Sequence, residues 1–244
     1  MIDPRVPRPH GEAGVVDWRA SGGKAVAWTA LALAALMTPD PAHAQVAGSV
    51  SLQSQGKPLR PEAASEAVVY FRPEQPVAVQ PLPAADMRTE RKQFLPGALP
   101  VTVGTEVRFP NVDPILHNVF SPGPRGRFDL GLYGRGEART HVFDAPGLFR
   151  VYCNVHHDMI GHVLVLDTPW FARPDARGRF RLDVPAGVRG ELFVWHERAP
   201  LWRGSLASGV DASVDVTLQL DRPKVPRHMN KFGKPYGSGR DRGY

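Results

Sequence analysis

Apolar and polar residues alternate at every second position in many short stretches between residues 46 and 220. Residues 106–109 and 178–185 show this alternation most clearly, and residues 67–71 form a nearly continuous apolar run. Alternation with a period of two indicates a half-buried β-strand, and a short apolar run indicates a buried one. The 24 glycines and 25 prolines favour short strands and turns over long helices. The pattern therefore predicts an all-β protein built from antiparallel sandwiches or barrels.

The strand-like stretches form three groups along the chain. The first covers residues 46–72 and is followed by a proline-rich segment, the second ends at residue 166, and the third lies between residues 178 and 218. We predict one domain at residues 45–168 and a smaller domain at residues 169–221. Residues 46–72 can belong to either domain, and the sequence pattern leaves both arrangements open.

The N-terminal segment has the features of an export signal. Arg19 and Lys24 precede an apolar run, residues 25–37, which is followed by the small-residue pattern Ala-His-Ala. A transmembrane helix needs about 20 apolar residues, and this run is shorter. The sequence thus predicts a signal peptide at residues 1–44, a mature chain that starts near Gln45 without a transmembrane span, and a periplasmic location. The alternative is a buried N-terminal helix.

Positive charge is concentrated at the C-terminus. The chain has a net charge of +6, and the segment from Asp221 to Tyr244 contains seven basic residues and two acidic ones. Because this stretch is rich in glycine and poor in aliphatic residues, we predict a basic disordered tail at residues 222–244. Such a tail can make weak contacts with an anionic surface, and the plainer alternative is a solvated extension. No nucleic-acid partner is predicted.

The most informative chemistry lies around the single cysteine, Cys153. His156 follows it by three residues and Met159 by six, and His117 lies upstream on a predicted strand. One thiolate, two imidazoles and one weak thioether are the ligands of a blue-copper electron-transfer site. Zinc fits less well, since methionine is not among its usual ligands. The alternative is a buried, inert cysteine.

Residues 107–113 and 117–119, residues 152–156 and residues 159–165 resemble, in this order, segments of the cupredoxins, such as plastocyanin, pseudoazurin and amicyanin. The wider pattern, which adds residues 94–96 and 128–133, resembles exported plastocyanin-like proteins labelled methylamine-utilisation proteins. The resemblance implies a Greek-key β-sandwich that binds one type-1 copper and exchanges electrons with a redox protein partner. By position, it implies His117, Cys153 and His156 as equatorial ligands and Met159 as the axial ligand. It also implies that Asn118 supports the site by bonding across to the cysteine loop near Asn154.

Three further residues near these ligands have side chains that can bind metal: His157, Asp158 and His162. The Cys-x2-His spacing favours His156 over His157. His162 occupies an outward position on its predicted strand, so we expect it to be a solvated surface group.

The third group of strands resembles a prealbumin-like sandwich, the carboxypeptidase regulatory-like domain. The resemblance lies in residues 178–187, and the opening strands usual for that domain are found instead at residues 48–50 and 67–69. This favours a cupredoxin core inserted into a split sandwich. The rival arrangement assigns residues 46–72 to the cupredoxin.

The predicted function is that of an exported type-1 copper protein that carries single electrons and is not an enzyme. An enzyme with an altered copper centre ranks lower, because the sequence has no second copper cluster and no paired carboxylates. The other alternative is a copper-binding, copper-delivery or surface-binding module without electron transfer.

Overall fold

The computed structural model describes residues 43–123, 126–206, 212–225 and 228–236. The strands of this part of the chain, in order, are β1 (His43–Ser54), β2 (Lys57–Pro58), β3 (Val68–Pro73), β4 (Ala85–Asp86), β5 (Arg88–Glu90), β6 (Gln93–Leu95), β7 (Ala98–Thr102), β8 (Thr105–Pro110), β9 (His117–Ser121), β10 (Phe128–Tyr133), β11 (Ala138–Phe143), β12 (Gly147–Tyr152), β13 (Ile160–Leu166), β14 (Phe171–Ala172), β15 (Arg179–Pro185), β16 (Gly190–Trp195), β17 (Trp202–Leu206) and β18 (Ala212–Gln219). A short 3-10 helix spans Pro61–Glu66. The prediction of an all-β protein is confirmed.

The described ranges contain no helix that is long and apolar enough to cross a membrane. The predicted signal peptide, residues 1–44, lies outside the described residues except for its last two, which begin β1.

A first sandwich is formed by a five-stranded sheet, in the order β10-β9-β12-β13-β7, and a three-stranded sheet, in the order β11-β8-β4. Val107 and Phe109 of β8 point into its core, while Arg108 between them is exposed, as expected from the period of two. Phe149 and Val151 belong to the same core cluster and come from the other sheet. The hairpin of β5 and β6 lies beside this sandwich, and Met87 and Phe94 from its vicinity complete the core.

A second sandwich combines strands from the beginning and the end of the described chain. Its sheets have the orders β15-β1-β18 and β14-β3-β16-β17, with β2 paired to β1. Strand β1 is antiparallel to β15 and parallel to β18, and β3 is antiparallel to β16. The core between the sheets contains Val46 and Phe71 together with Leu182 and Val194. Residues 46–72 thus hydrogen-bond with the strands of residues 171–219, and the first sandwich lies between them in sequence.

The two sandwiches share an apolar cluster where β13 and β7 meet β3 and β16. Leu164 and Leu166 of β13 pack in one cluster with Tyr70, Phe193 and Trp195 of the second sandwich. The Tyr70 and Phe193 rings stack with centroids 5.0 Å apart. The outward face of β13 is therefore buried against the second sandwich.

His162 lies in this interface, and the prediction that it is a solvated surface group is wrong. Its residue is 3% exposed, its ring lies 5.5 Å from Trp195, and its Nδ1 lies 3.2 Å from Glu197 Oε2. The prediction took the outward side of β13 for a solvent-facing surface, whereas the second sandwich covers it.

The C-terminal residues beyond β18 run back towards the first sandwich. Asp221 and Arg222 donate their amides to the Arg198 carbonyl. We call residues 228–236 the C-terminal strap, because its side chains contact the loop that carries Cys153, as described below. For this stretch the structure shows packed contacts where the sequence predicted disorder. Residues 226–227 and 237–244 of the predicted tail lie outside the described residues, and disorder there stays a prediction.

His196, directly after β16, makes the stability of the fold depend on pH. The residue is 4% exposed, its Nδ1 accepts a hydrogen bond from the Arg198 amide, and burial lowers its pKa to about 4. In the unfolded chain this histidine binds a proton near pH 6.5, whereas in the folded chain it stays neutral to about pH 4. This histidine therefore contributes to the free energy of unfolding above pH 6.5, and the contribution is lost as the pH falls towards 4. The loss is about 3 kcal/mol at most.

Urea unfolding of the full chain at a series of pH values between 7 and 4 checks this prediction. His196→Gln should flatten the decline in unfolding free energy relative to the unmodified chain, because glutamine does not titrate. The exposed His157 provides the matched control, and His157→Gln should leave the decline unchanged. Equal slopes for the chain and its His196→Gln variant would contradict the assignment.

Candidate metal centre

The predicted ligands come from neighbouring strands and the loop that joins two of them. His117 is the first residue of β9, Cys153 directly follows β12, and Met159 directly precedes β13. Strand β12 lies between β9 and β13 in the five-stranded sheet. Because β12 is antiparallel to both β9 and β13, the start of β9, the end of β12 and the start of β13 lie at one end of the sheet. Side chains far apart in sequence therefore converge at this end of the first sandwich.

The structure brings three donor atoms together. Cys153 Sγ lies 3.7 Å from His117 Nδ1 and 3.8 Å from His156 Nδ1, and all three atoms lie within 4.8 Å of one another. Two donors held at about 2.0–2.3 Å from the same ion are at most about 4.4 Å apart, so both sulfur–nitrogen distances fit a common metal. Among the described residues, this is the one group of at least three His, Cys, Asp or Glu side chains that could hold an ion.

The loop between β12 and β13 is closed by two backbone hydrogen bonds. The Cys153 amide donates to the Met159 carbonyl at 3.3 Å, and the Met159 amide donates to the His156 carbonyl at 2.9 Å. Met159 is buried in the same core cluster as Cys153. The thioether thus lies on the core side of the loop, and its axial role stays a prediction. His157 and Asp158 at the tip of the loop are exposed, and within the described part of the chain neither belongs to a group of side chains that could hold a metal.

The Cys153 side chain is fully buried. Burial raises the pKa of the thiol, while hydrogen bonds from the backbone amides of Asn118, His156 and Val155 to the sulfur lower it. These three amides stabilise the negative form of the sulfur. A bound cation would add to this effect and remove the proton outright. The environment is therefore suited to a thiolate ligand once a metal is present.

Asp113 sets the orientation of His117. The carboxylate Oδ2 lies 2.8 Å from His117 Nε2 and accepts a hydrogen bond from the Lys92 amide at 2.9 Å, while Oδ1 accepts one from the Arg91 amide at 2.6 Å. Burial works to raise the pKa of Asp113, but the bonds from Lys92, His117 and Arg91 lower it overall. An ionised Asp113 requires the proton of a neutral His117 to sit on Nε2, which leaves the lone pair of Nδ1 directed at Cys153.

Sequence reasoning missed this role of Asp113. The available signal was the spacing of Asp113 and His117, an acidic residue four positions before a candidate ligand histidine. The segment between them is too short to place the two side chains far apart. Ligand histidines in proteins commonly give their second nitrogen to a carboxylate.

The turn between β5 and β6, whose amides bind the Asp113 carboxylate, has a strained backbone. Its central residues, Arg91 and Lys92, have φ angles of 54° and 56°. A two-residue turn with both φ values positive favours Asn-Gly, and a side chain in the left-handed region costs about 1–2 kcal/mol per residue. The two amide bonds to the Asp113 carboxylate offset part of this cost.

His156 is the half-buried member of the group. Its ring centroid lies 5.0 Å from that of His117. Burial lowers the pKa of His156, and the neighbouring His117 and Lys92 lower it further. Its imidazole is therefore held in the neutral form that binds metal.

The Asn118 side chain bonds to a different element from the one that the resemblance implied. Its side-chain amide donates to Asp129 Oδ1 at 2.6 Å and to the Gly131 carbonyl at 2.9 Å, both on β10, instead of reaching the loop near Asn154. Asn154 Oδ1 accepts a bond from the Lys231 amide at 3.0 Å. Asn118 contacts the cysteine through its backbone amide. The Asn118 side chain thus joins β9 to β10. The hydrogen bond to Asn154 in the cysteine loop comes from the C-terminal strap instead.

The C-terminal strap packs on the same loop with its aromatic residues. The His228 ring stacks on Tyr152, next to Cys153, at a centroid distance of 4.3 Å. The ring centroid of Tyr236 lies 5.3 Å from those of both His157 and His228. Lys231 Nζ forms an ion pair with Asp129 at 2.8 Å. Sequence reasoning gave the strap no part in the site, because its contacts are separated from the loop by about 75 residues.

No protein-family model and no curated protein matches the chain. Among solved structures, it is similar to a purple cupredoxin from Nitrosopumilus maritimus, with 26% identity, a TM-score of 0.31, and coverage of 34% of this chain and 99% of the other. It is also similar to amicyanin from Paracoccus versutus (Thiobacillus versutus), with 19% identity, a TM-score of 0.33, and coverage of 40% of this chain and 98% of the other. Each of these likenesses covers two fifths of this chain or less.

Proposed function

We propose that this chain is an exported type-1 copper protein that carries single electrons between redox partners. The observation that carries the proposal is the convergence of one buried sulfur and two imidazole nitrogens, with sulfur–nitrogen distances of 3.7 and 3.8 Å. Thiolate and imidazole in this combination, with a nearby thioether, are the donors that copper favours in electron-transfer sites. The periplasmic location and the removal of residues 1–44 rest on the sequence pattern.

Bound copper would supply a one-electron couple between Cu(I) and Cu(II). The residues of the chain hold the donors in place for it. Asp113 keeps His117 in one tautomer, the two backbone bonds of the loop fix Cys153 relative to Met159, and the core excludes water from the sulfur. Because these supports do not depend on the charge of the ion, we expect the ligands to move little when an electron is gained or lost.

The half-buried position of His156 supports an exchange of electrons at the surface. His117 and Cys153 are both fully buried, so His156 is the ligand that a partner can approach most closely. Interfaces between redox proteins are small and weak, which suits a single exposed ring as the contact point. The proposal assigns no catalytic residue.

The visible absorption and electron-paramagnetic-resonance spectra of the purified chain with one equivalent of Cu(II) test the proposal. We expect an intense thiolate-to-copper charge-transfer band and a narrow copper hyperfine splitting, together with a reversible response in cyclic voltammetry. A colourless sample with a tetragonal spectrum would contradict electron transfer. Copper that binds but does not cycle on the electrode would favour copper delivery or surface binding.

A further inference from the structure

The end of the first sandwich that carries the donor atoms also carries unpaired positive charge. Arg91 and Lys92 at the tip of the β5–β6 hairpin have exposed side chains, and neither forms an ion pair with a carboxylate of the described residues. Their amides are bonded to Asp113, which holds His117, whose ring lies 5.0 Å from that of His156. The hairpin tip that carries the two cations is therefore linked to His156 through Asp113 and His117.

The identity of these two residues is not explained by the turn itself. The backbone amides alone bind Asp113, and Asn-Gly would supply the same two donors in the same positive-φ conformation without the steric cost. Arg and Lys are unfavourable choices for this backbone. Their side chains therefore contribute something that the turn does not require, and the property that they share is an exposed positive charge.

The C-terminal strap brings a further cation to the same end. Lys231 is tied to Asn154, the residue after Cys153, and its ammonium is already paired with Asp129. Lys234 is exposed and has no carboxylate partner within the described part of the chain, and its amide bond to Asn230 closes the turn of the strap. We call Arg91 and Lys92 on the hairpin tip, together with Lys234 on the strap, the cationic rim.

Negative charge at this end is small by comparison. Asp113 is buried and bonded to His117, and Asp129 is paired with Lys231. Asp158 is the exposed acid of the ligand loop, with 86% of its side chain accessible. The cationic rim therefore exceeds the opposing charge of this loop by two.

Apolar side chains are exposed beside the ligands as well. Leu116, directly before His117, is 54% exposed, and Val112, directly before Asp113, is 42% exposed. Apolar contact area bordered by charge is the composition of a transient protein interface, in which the charges set orientation and the rate of encounter.

This inference rests on the proposed function. We propose that the partner which exchanges electrons at His156 is a redox protein with an acidic face, and that the cationic rim orients this face over the exposed ring. In the oxidative direction, one electron passes from the reduced copper protein to the oxidised partner, no bond is made or broken, and each protein changes charge by one unit. Attraction between the rim and the acidic face speeds the encounter without entering the electron transfer itself.

Two forms of one probe protein, cytochrome c, distinguish the effect of the partner's charge from the effect of its redox group. Native cytochrome c is basic, and cytochrome c succinylated on its lysines is acidic and retains the same haem. Stopped-flow mixing of the full, copper-loaded, reduced chain with each oxidised form should give a rate at least about tenfold higher for the acidic form at an ionic strength of about 10 mM. The preference should largely disappear at about 0.5 M, where charges are screened within a few ångströms.

Two variants and a matched control test whether the charges of the cationic rim cause the preference for the acidic form. Arg91→Asn with Lys92→Gly keeps both amide donors in a favourable turn, and it should slow the reaction with the acidic form about fivefold or more at low salt while speeding that with the native form. Lys234→Gln, which lies outside the turn, should act in the same direction with a smaller effect. Lys57→Gln with Arg60→Gln removes two exposed charges from the second sandwich and should have little effect.

The outcomes distinguish the two proposals. An absent charge-transfer band before mixing means that the proposed function fails, whatever the kinetics. With the band present, faster reaction of the native form, equal losses in the rim and control variants, or a loss that persists at high salt would overturn the acidic-partner proposal.

Discussion

Cys153→Ser should abolish the visible charge-transfer absorption of the copper-loaded chain and weaken its copper binding by at least about 100-fold. The sulfur of Cys153 is the one soft anionic donor in the group, and both ligand nitrogens lie within 3.8 Å of it. A serine hydroxyl does not ionise under the same conditions and gives no sulfur-to-copper transition. Optical titration with Cu(II), followed by competition with a chelator of known affinity, measures both effects.

The fold should survive this substitution, so the loss is attributable to the site. Serine is close to cysteine in size, and the amides of Asn118, Val155 and His156 that point at the sulfur can donate to its oxygen. Far-ultraviolet circular dichroism checks the fold. Met159→Leu is the matched comparison, since it removes the other sulfur of the loop and should leave an intense band. A Cys153→Ser variant that keeps the band would refute the ligand assignment.

Asp113→Asn should weaken copper binding about 10- to 100-fold while leaving all four candidate ligands in place. The carboxylate accepts hydrogen bonds from His117, Arg91 and Lys92, and an asparagine amide offers one oxygen in place of two. At least one buried or strained donor then loses its partner, which costs about 1–3 kcal/mol of unfolding free energy. Copper competition titrations and urea unfolding of the metal-free chain measure the two losses.

The tautomer of His117 gives a readout that a general loss of stability does not change. Long-range ¹H–¹⁵N correlation spectra of the metal-free chain should show His117 protonated at Nε2, and the Asp113→Asn variant should show a mixture of tautomers. Asp158→Asn, on the exposed part of the ligand loop, is the matched control and should change neither tautomer nor affinity. If Asp113→Asn binds copper as tightly as the unmodified chain, the carboxylate does not orient His117.

The sequence by itself determined the class of the fold and the candidate ligands. The period of two that separates buried Val107 and Phe109 from exposed Arg108 is a property of any extended strand with one buried face, so it can be read without coordinates. The close spacing of Cys153 and His156 confines both donors to one short loop in the same way. Local geometry decides these features, and local geometry follows from neighbouring residues.

The tertiary structure decided which faces are covered and which distant residues meet. His162 has the outward position that its strand predicts, but the second sandwich buries it, and the strap reaches Asn154 from residue 231. Asp113 acquires its role because a hairpin tip donates two amides to it. Each of these contacts depends on how separate elements pack, and packing is a sum of many weak, long-range contributions that no single stretch of sequence contains.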